Sequence, residues 1–91
     1  MLVHNAQAEL AIVIRHDGEN VRLVPMKSGR LTVNRRSKQE FNAEWRESEA
    51  PLMPALTDFL AHAARQGASG EVVKGLGKLA LREQQAISKL F

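Results

Sequence analysis

Leu10-Ala11-Ile12-Val13-Ile14-Arg15-His16-Asp17-Gly18-Glu19-Asn20-Val21-Arg22-Leu23-Val24-Pro25-Met26 is the stretch on which the fold turns. Its first six residues are compact and rich in β-branched side chains, which suits a strand. His16 to Asn20 is turn chemistry: Gly18 takes positive φ without steric cost, and Asp17 and Asn20 are good turn formers. Val21 to Met26 returns as a second strand. So short a connection makes the pair antiparallel.

Working outward, Lys27-Ser28-Gly29-Arg30 reads as a second turn and Leu31 to Arg35 as a third strand. Residues 9–36 therefore form a three-stranded antiparallel meander, and residues 1–8 a loose lead-in. Alternation sorts the side chains into two faces. Leu10, Ile12, Ile14, Val21, Leu23, Pro25, Leu31 and Val33 make an apolar core face. Ala11, Val13, Arg15, Arg22, Val24, Met26, Thr32 and Asn34 make the other. That second face is too apolar for a fully solvated one, so either this chain or a partner covers it. Pro25 has no N–H for the ladder, and the second strand should end or bulge there.

Helical signals follow. Ser37-Lys38-Gln39-Glu40 is a capping box, opening a short helix over about Lys38 to Glu47 with Phe41 and Trp45 on one face. Ser48 to Pro51 breaks it. A second helix, about Leu52 to Gln66, carries Leu52, Leu56, Phe59, Leu60 and Ala63 as its apolar stripe and ends at Gly67. Ser69 caps a third, with Val72, Val73, Leu76, Leu79, Ala80, Ile87, Leu90 and Phe91 as its stripe. Gly75 and Gly77 each cost that helix about 1 kcal/mol relative to alanine. They mark a kink, a break near residue 77 or a close helix crossing. The expected architecture is one α+β domain over residues 1–91, with residues 37–91 supplying about three helices that cover one face of the meander. Phe41, Trp45, Leu56, Phe59, Leu60 and Leu76 should meet that face.

Composition narrows the chemistry. An apolar fraction of 44% beside 25% charged residues is that of a globular domain, not a disordered chain. No cysteine is present, which excludes disulfides, thiolate metal sites and cysteine nucleophiles. Leu10 to Ile14 is the longest aliphatic run, too short to span a bilayer, and Met1-Leu2-Val3-His4-Asn5 lacks signal-peptide character. A soluble cytoplasmic protein without membrane partners is expected. His4, His16 and His62 fall in the lead-in, a turn and an outward helix face, so no metal or other cofactor is expected. Gly75-Leu76-Gly77-Lys78-Leu79-Ala80 has the letters of a dinucleotide turn but neither the preceding strand nor the following acid. No enzyme is expected.

Binding signals remain. Arg22, Lys27, Arg30, Arg35, Arg36 and Lys38 are six basic residues with no acid among them, whereas Glu40 to Glu49 holds four glutamates against Arg46 alone. A cluster of this kind on a β-hairpin suits phosphate backbone, though it carries no aromatic for base stacking. A solubilising rim gives the same letters. The leading expectation is a small regulatory protein contacting nucleic acid through these six residues. The alternative is a homodimeric or protein-interaction module burying Val13, Val24, Met26, Leu90 and Phe91.

Two resemblances touch parts of the chain. Ala63, Gly67, Val73 and Leu76, with Ser69 opening the would-be recognition helix, resemble a helix-turn-helix, although Gln66 stands where that motif has an apolar residue. Its reading face would be Gly70, Glu71, Lys74 and Gly75, poorly equipped for base edges; a plain αα-hairpin has the same letters. The glycine-turned hairpin followed by Ser37-x-x-Glu40-Phe41-x-x-x-Trp45 resembles, over about thirty residues, the tail of papain-like peptidase domains in bacteriocin exporters. The nucleophilic cysteine is missing, so that resemblance implies no peptidase activity.

Overall fold

The computed structural model describes residues 1–89. Its elements in chain order are β1 (Leu2–His4), β2 (Leu10–Asp17), β3 (Asn20–Pro25), β4 (Asn34–Ser37), α1 (Lys38–Glu44), β5 (Arg46–Glu47), α2 (Leu52–Gln66) and α3 (Gly70–Ser88). The strands form one five-stranded antiparallel sheet in the order β4-β3-β2-β1-β5. The class is α+β, as the alternation of residues 10–26 indicates, but the sheet has two more strands than the meander it predicts.

The added strands come from segments without a strand's pattern. Leu2 to His4 is the supposed lead-in, yet it pairs along β2 through Leu2↔Ile12, Val3↔Ala11 and His4↔Leu10. Asn5 makes the return possible. Its side-chain oxygen accepts from the Gln7 and Glu9 backbone N–H groups at 3.1 and 2.9 Å, and Ala8 takes φ 62°. On the far edge, β5 pairs with β1 through Val3↔Glu47 and His4↔Arg46. It forms because α1 stops at Glu44, earlier than expected. Trp45 is extended while its N–H still donates to the Phe41 carbonyl.

The face assignment changes by one residue, and the cause is a bulge. At the turn Asp17 pairs with Asn20, His16 with Val21 and Arg15 with Arg22. Beyond Arg15 the register slips, so that Val13 meets Leu23 and Ile12 meets Val24. One extra residue at Ile14 moves the preceding part of β2 to the opposite face relative to β3. Ile12 and Val24 consequently share a core with Leu2, Leu31, Leu56, Phe59, Val72 and Leu76 under α2 and α3. Val21 and Leu23 belong instead to a second core with Val3, Ala11, Val13, Phe41 and Trp45, which α1 closes. Helices thus cover both faces, not one, and Phe41 and Trp45 pack opposite to Leu56, Phe59 and Leu76. Leu60 stays 39% exposed.

Leu31 is fully buried but not as part of a third strand. Its N–H donates to the Gly67 carbonyl and its carbonyl accepts from Ser69 N–H, both at 3.0 Å, a parallel bridge to the α2–α3 turn. β4 begins three residues later than the expected strand. Half-buried His62, expected on an outward face, donates from Nε2 to the Gly29 carbonyl at 2.8 Å and ties the same loop to α2.

The helix caps lie where the sequence places them. Ser37 Oγ accepts from Glu40 N–H and Glu40 reciprocates at Ser37 N–H. Ser69 Oγ accepts from Val72 N–H, and Gly67, at φ 89°, ends α2. α3 runs unbroken through Gly75 and Gly77. Of the readings open for these glycines, the close crossing applies to Gly75 alone. A Cβ there would lie 2.8 Å from Ile14 Cβ, whereas at Gly77 it would meet nothing within 4 Å. Among the described residues no helix is long and apolar enough to cross a membrane.

A candidate anion-binding groove between sheet and last helix

The six basic residues of the hairpin do not come together. Arg36 ion-pairs with Glu44 of α1, its Nε 3.3 Å from Oε2. Lys27 Nζ donates to Thr32 Oγ1 at 3.0 Å in the loop after β3, and Arg30 lies in the same loop beside Gly67. Lys38 opens α1, its backbone N–H donating to the Glu19 carbonyl. Arg22 and Arg35 adjoin as direct cross-strand partners of β3 and β4, and Arg36 Nη1 donates to the Arg35 carbonyl at 2.8 Å. The set is divided between both faces of the sheet and the loop beyond its end.

A different set converges. Arg15 is the cross-strand partner of Arg22 on β2, so Arg15, Arg22 and Arg35 form a row across three neighbouring strands. Cross-strand partners share a face, and Arg22 alternates with Val24, which places the row on the sheet face that α2 and α3 pack against, with Arg35 exposed on the edge strand. The other wall is α3 itself. Val72 and Leu76 are buried against the sheet, leaving Lys74, Lys78 and Arg82, four residues apart, as a ridge along one side of the helix. Successive members are about 6 Å apart along the axis at 1.5 Å per residue.

Between the walls lies a half-open cleft of about 180 Å³, lined by Ile14, Arg15, Arg22, Glu71, Lys74, Gly75 and Lys78. A second hollow of about 330 Å³ shares Ile14 and Arg15 with it and extends to His16, Leu79 and Arg82. The groove exists because the bulge at Ile14 meets a residue without a side chain, Gly75, and α3 can descend onto β2.

Acids are few here. Glu71 accepts from Arg22 Nη1 with both carboxylate oxygens, at 3.3 and 3.1 Å, and Asp17 lies 3.4 Å from Nη2. Arg22, its side chain only 18% exposed, is therefore held from two sides. Arg15, Lys74, Lys78 and Arg82 form no ion pair among the described residues. At the far end burial lowers the Met1 ammonium below its ordinary value; Glu83 and Glu47 oppose this and Arg82 adds to it.

The ridge was legible in the four-residue spacing of Lys74, Lys78 and Arg82, a signal obscured by reading charge as a run along the chain rather than around a helix. Its juxtaposition with Arg15 was not legible, because that depends on the bulge. The helix-turn-helix resemblance is not supported: Glu71 is tied to Arg22 and Gly75 is packed on Ile14, so half of the expected reading face is engaged within the chain. Gly75-Leu76-Gly77 is helix interior, not a phosphate turn.

The proposed partner-facing residues also fall differently. Val13 and Val24 are 4% and 0% exposed within this single chain, and half-buried Met26 packs against the α2–α3 core. Val13 is covered by α1 and Val24 by α2 and α3, leaving neither valine a surface for a partner. Leu90 and Phe91 lie outside the described residues. No protein-family model, curated protein or solved structure matches the chain.

Proposed function

We propose that the protein is a non-enzymatic binding protein that holds nucleic-acid backbone along the groove between β2 and α3. The observation that carries this reading is the ridge of Lys74, Lys78 and Arg82 beside Arg15, four cations without an acid partner among the described residues. Unpaired cations spaced at about 6 Å suit successive phosphates along one strand. Arg22 and Arg35 extend the surface across the sheet. The groove lining contains no aromatic platform, which favours duplex over single strand and gives no means of reading bases. Fluorescence anisotropy with a duplex of arbitrary sequence tests the reading. Four phosphate contacts should give a log–log salt slope of about −3.6. Absence of salt-sensitive binding at low ionic strength overturns it.

A second reading, self-association, has its own observation. Leu60, Val73, Leu81 and Ile87 on α2 and α3 are 39%, 57%, 56% and 45% exposed. Twofold pairing would bury such side chains. Light scattering then gives twice the chain mass of 10.1 kDa; a monomer at high concentration removes this reading.

A further inference from the structure

We propose that the cleft beneath α3 seats a single phosphate group, and that Glu71 holds its place on Arg22 in the free protein. This goes beyond backbone binding, since a small phosphate compound satisfies the same seat. Size is the first argument. The half-open cleft of about 180 Å³ has room for a phosphate together with a few waters. Charge is the second. Arg15, Arg22, Lys74 and Lys78 line the cleft, and with Glu71 and Asp17 both held on Arg22 two positive charges remain in excess, an imbalance that a bound anion relieves.

Geometry is the third argument. Glu71 offers two oxygens to Arg22 Nη1, as two phosphate oxygens would. Lys74 and Lys78 stand one and two turns further along the same side of α3. Both lysines line the cleft and form no ion pair with Glu71 among the described residues, so they are left for a phosphate that displaces it. The floor is Ile14 and Gly75, and the missing side chain of Gly75 keeps it low. A purely structural role for the Arg22–Glu71 pair, strapping the hairpin to α3, makes a different prediction.

The full chain is titrated with inorganic phosphate at matched ionic strength, following backbone amide shifts of Ile14, Arg15 and Gly75. In parallel, anisotropy compares a 5′-phosphorylated with a 5′-hydroxyl oligonucleotide. Saturable shifts are expected, tightened roughly tenfold by Glu71→Gln, the scale of one charge-assisted hydrogen bond. Lys78→Gln should weaken them, and Asp58→Asn, an acid removed elsewhere, should leave them unchanged. Equal tightening by Glu71→Gln for both oligonucleotides assigns the seat to an internal phosphate. Tightening for the 5′-phosphorylated one alone assigns it to a terminal phosphate. Phosphate binding without oligonucleotide binding keeps the seat and overturns the backbone reading. If phosphate produces no saturable shift, the seat is refuted. The same holds if oligonucleotides bind and Glu71→Gln gains no more than Asp58→Asn; the pair is then a strap and the strand lies elsewhere.

Discussion

Replacing Gly75 and Gly77 one at a time with alanine separates the crossing of α3 over β2 from the general cost of glycine in a helix. At both positions alanine recovers about 1 kcal/mol of helix propensity. At Gly77 nothing opposes the gain, because the new Cβ meets open space. At Gly75 the Cβ would lie 2.8 Å from Ile14 Cβ and 2.9 Å from its Cγ2 and Cδ1, where ordinary contact starts at 3.4 Å. Ile14 Cβ is fixed to the bulged backbone and cannot rotate aside, so helix or strand must give by about 0.6 Å. Overpacking of this kind costs about 1–3 kcal/mol, which cancels or exceeds the propensity gain. Gly77→Ala should therefore raise the melting temperature, and Gly75→Ala should leave it unchanged or lower it. A difference of about 1–3 kcal/mol at roughly 4–8 °C per kcal/mol separates the variants by at least about 4 °C in a calorimetric scan. Ile14→Ala removes two of the three close atoms and should recover part of the loss in a double-mutant cycle. Equal stabilisation by both alanines would refute the close crossing, and with it the cause given for the groove.

Three further outcomes are expected. The Trp45 indole N–H is buried without an acceptor among the described residues; Trp45→Phe, which removes that orphan donor, should cost no more than about 1 kcal/mol in denaturant unfolding, against about 3–5 for Trp45→Ala. Phe59, at 1% exposure in the α2–α3 core, should lose about 3–5 kcal/mol as alanine by the same measurement. Hydrogen bonds from the Ser37 backbone and side chain, aided by Arg36, hold the Glu40 carboxyl below the ordinary carboxylate value. Its contribution is present above the unfolded-state pKa and lost as pH falls through the lowered folded-state value. The melting temperature of Glu40→Gln should accordingly fall less steeply than that of the natural chain at acid pH.

The local signals in this sequence proved more readable than the long-range ones. Ser37, Ser69 and Gly67 act where their chemistry is local, within a turn of the backbone they cap. The alternation of residues 10–26 likewise indicated a hairpin with the right turn. It did not reveal the bulge, since no letter distinguishes Ile14 from its β-branched neighbours, and the residue packed closely against it, Gly75, lies about sixty residues away. β1 and β5, with three and two residues, are too short for any periodicity and exist because an existing sheet edge accepts them. The basic hairpin misled for the same reason in reverse. Arg22 and Arg36 belong to one run in a charge count, but β3 and β4 turn them to opposite faces, toward Glu71 and Glu44.

The measurement that bears most directly on the groove is a comparison of two charge reversals on duplex binding. One protein carries Lys74→Glu, Lys78→Glu and Arg82→Glu on the α3 ridge; the other carries Lys27→Glu, Arg30→Glu and Lys38→Glu on the hairpin loop and the start of α1. Both change the net charge equally, so any long-range effect is shared. With a phosphate-binding groove, the ridge variant stays folded by circular dichroism and loses duplex binding, while the loop variant keeps most of the affinity and the salt slope of about −3.6. If the loop variant loses binding and the ridge variant retains it, the groove is not the site and the account is wrong.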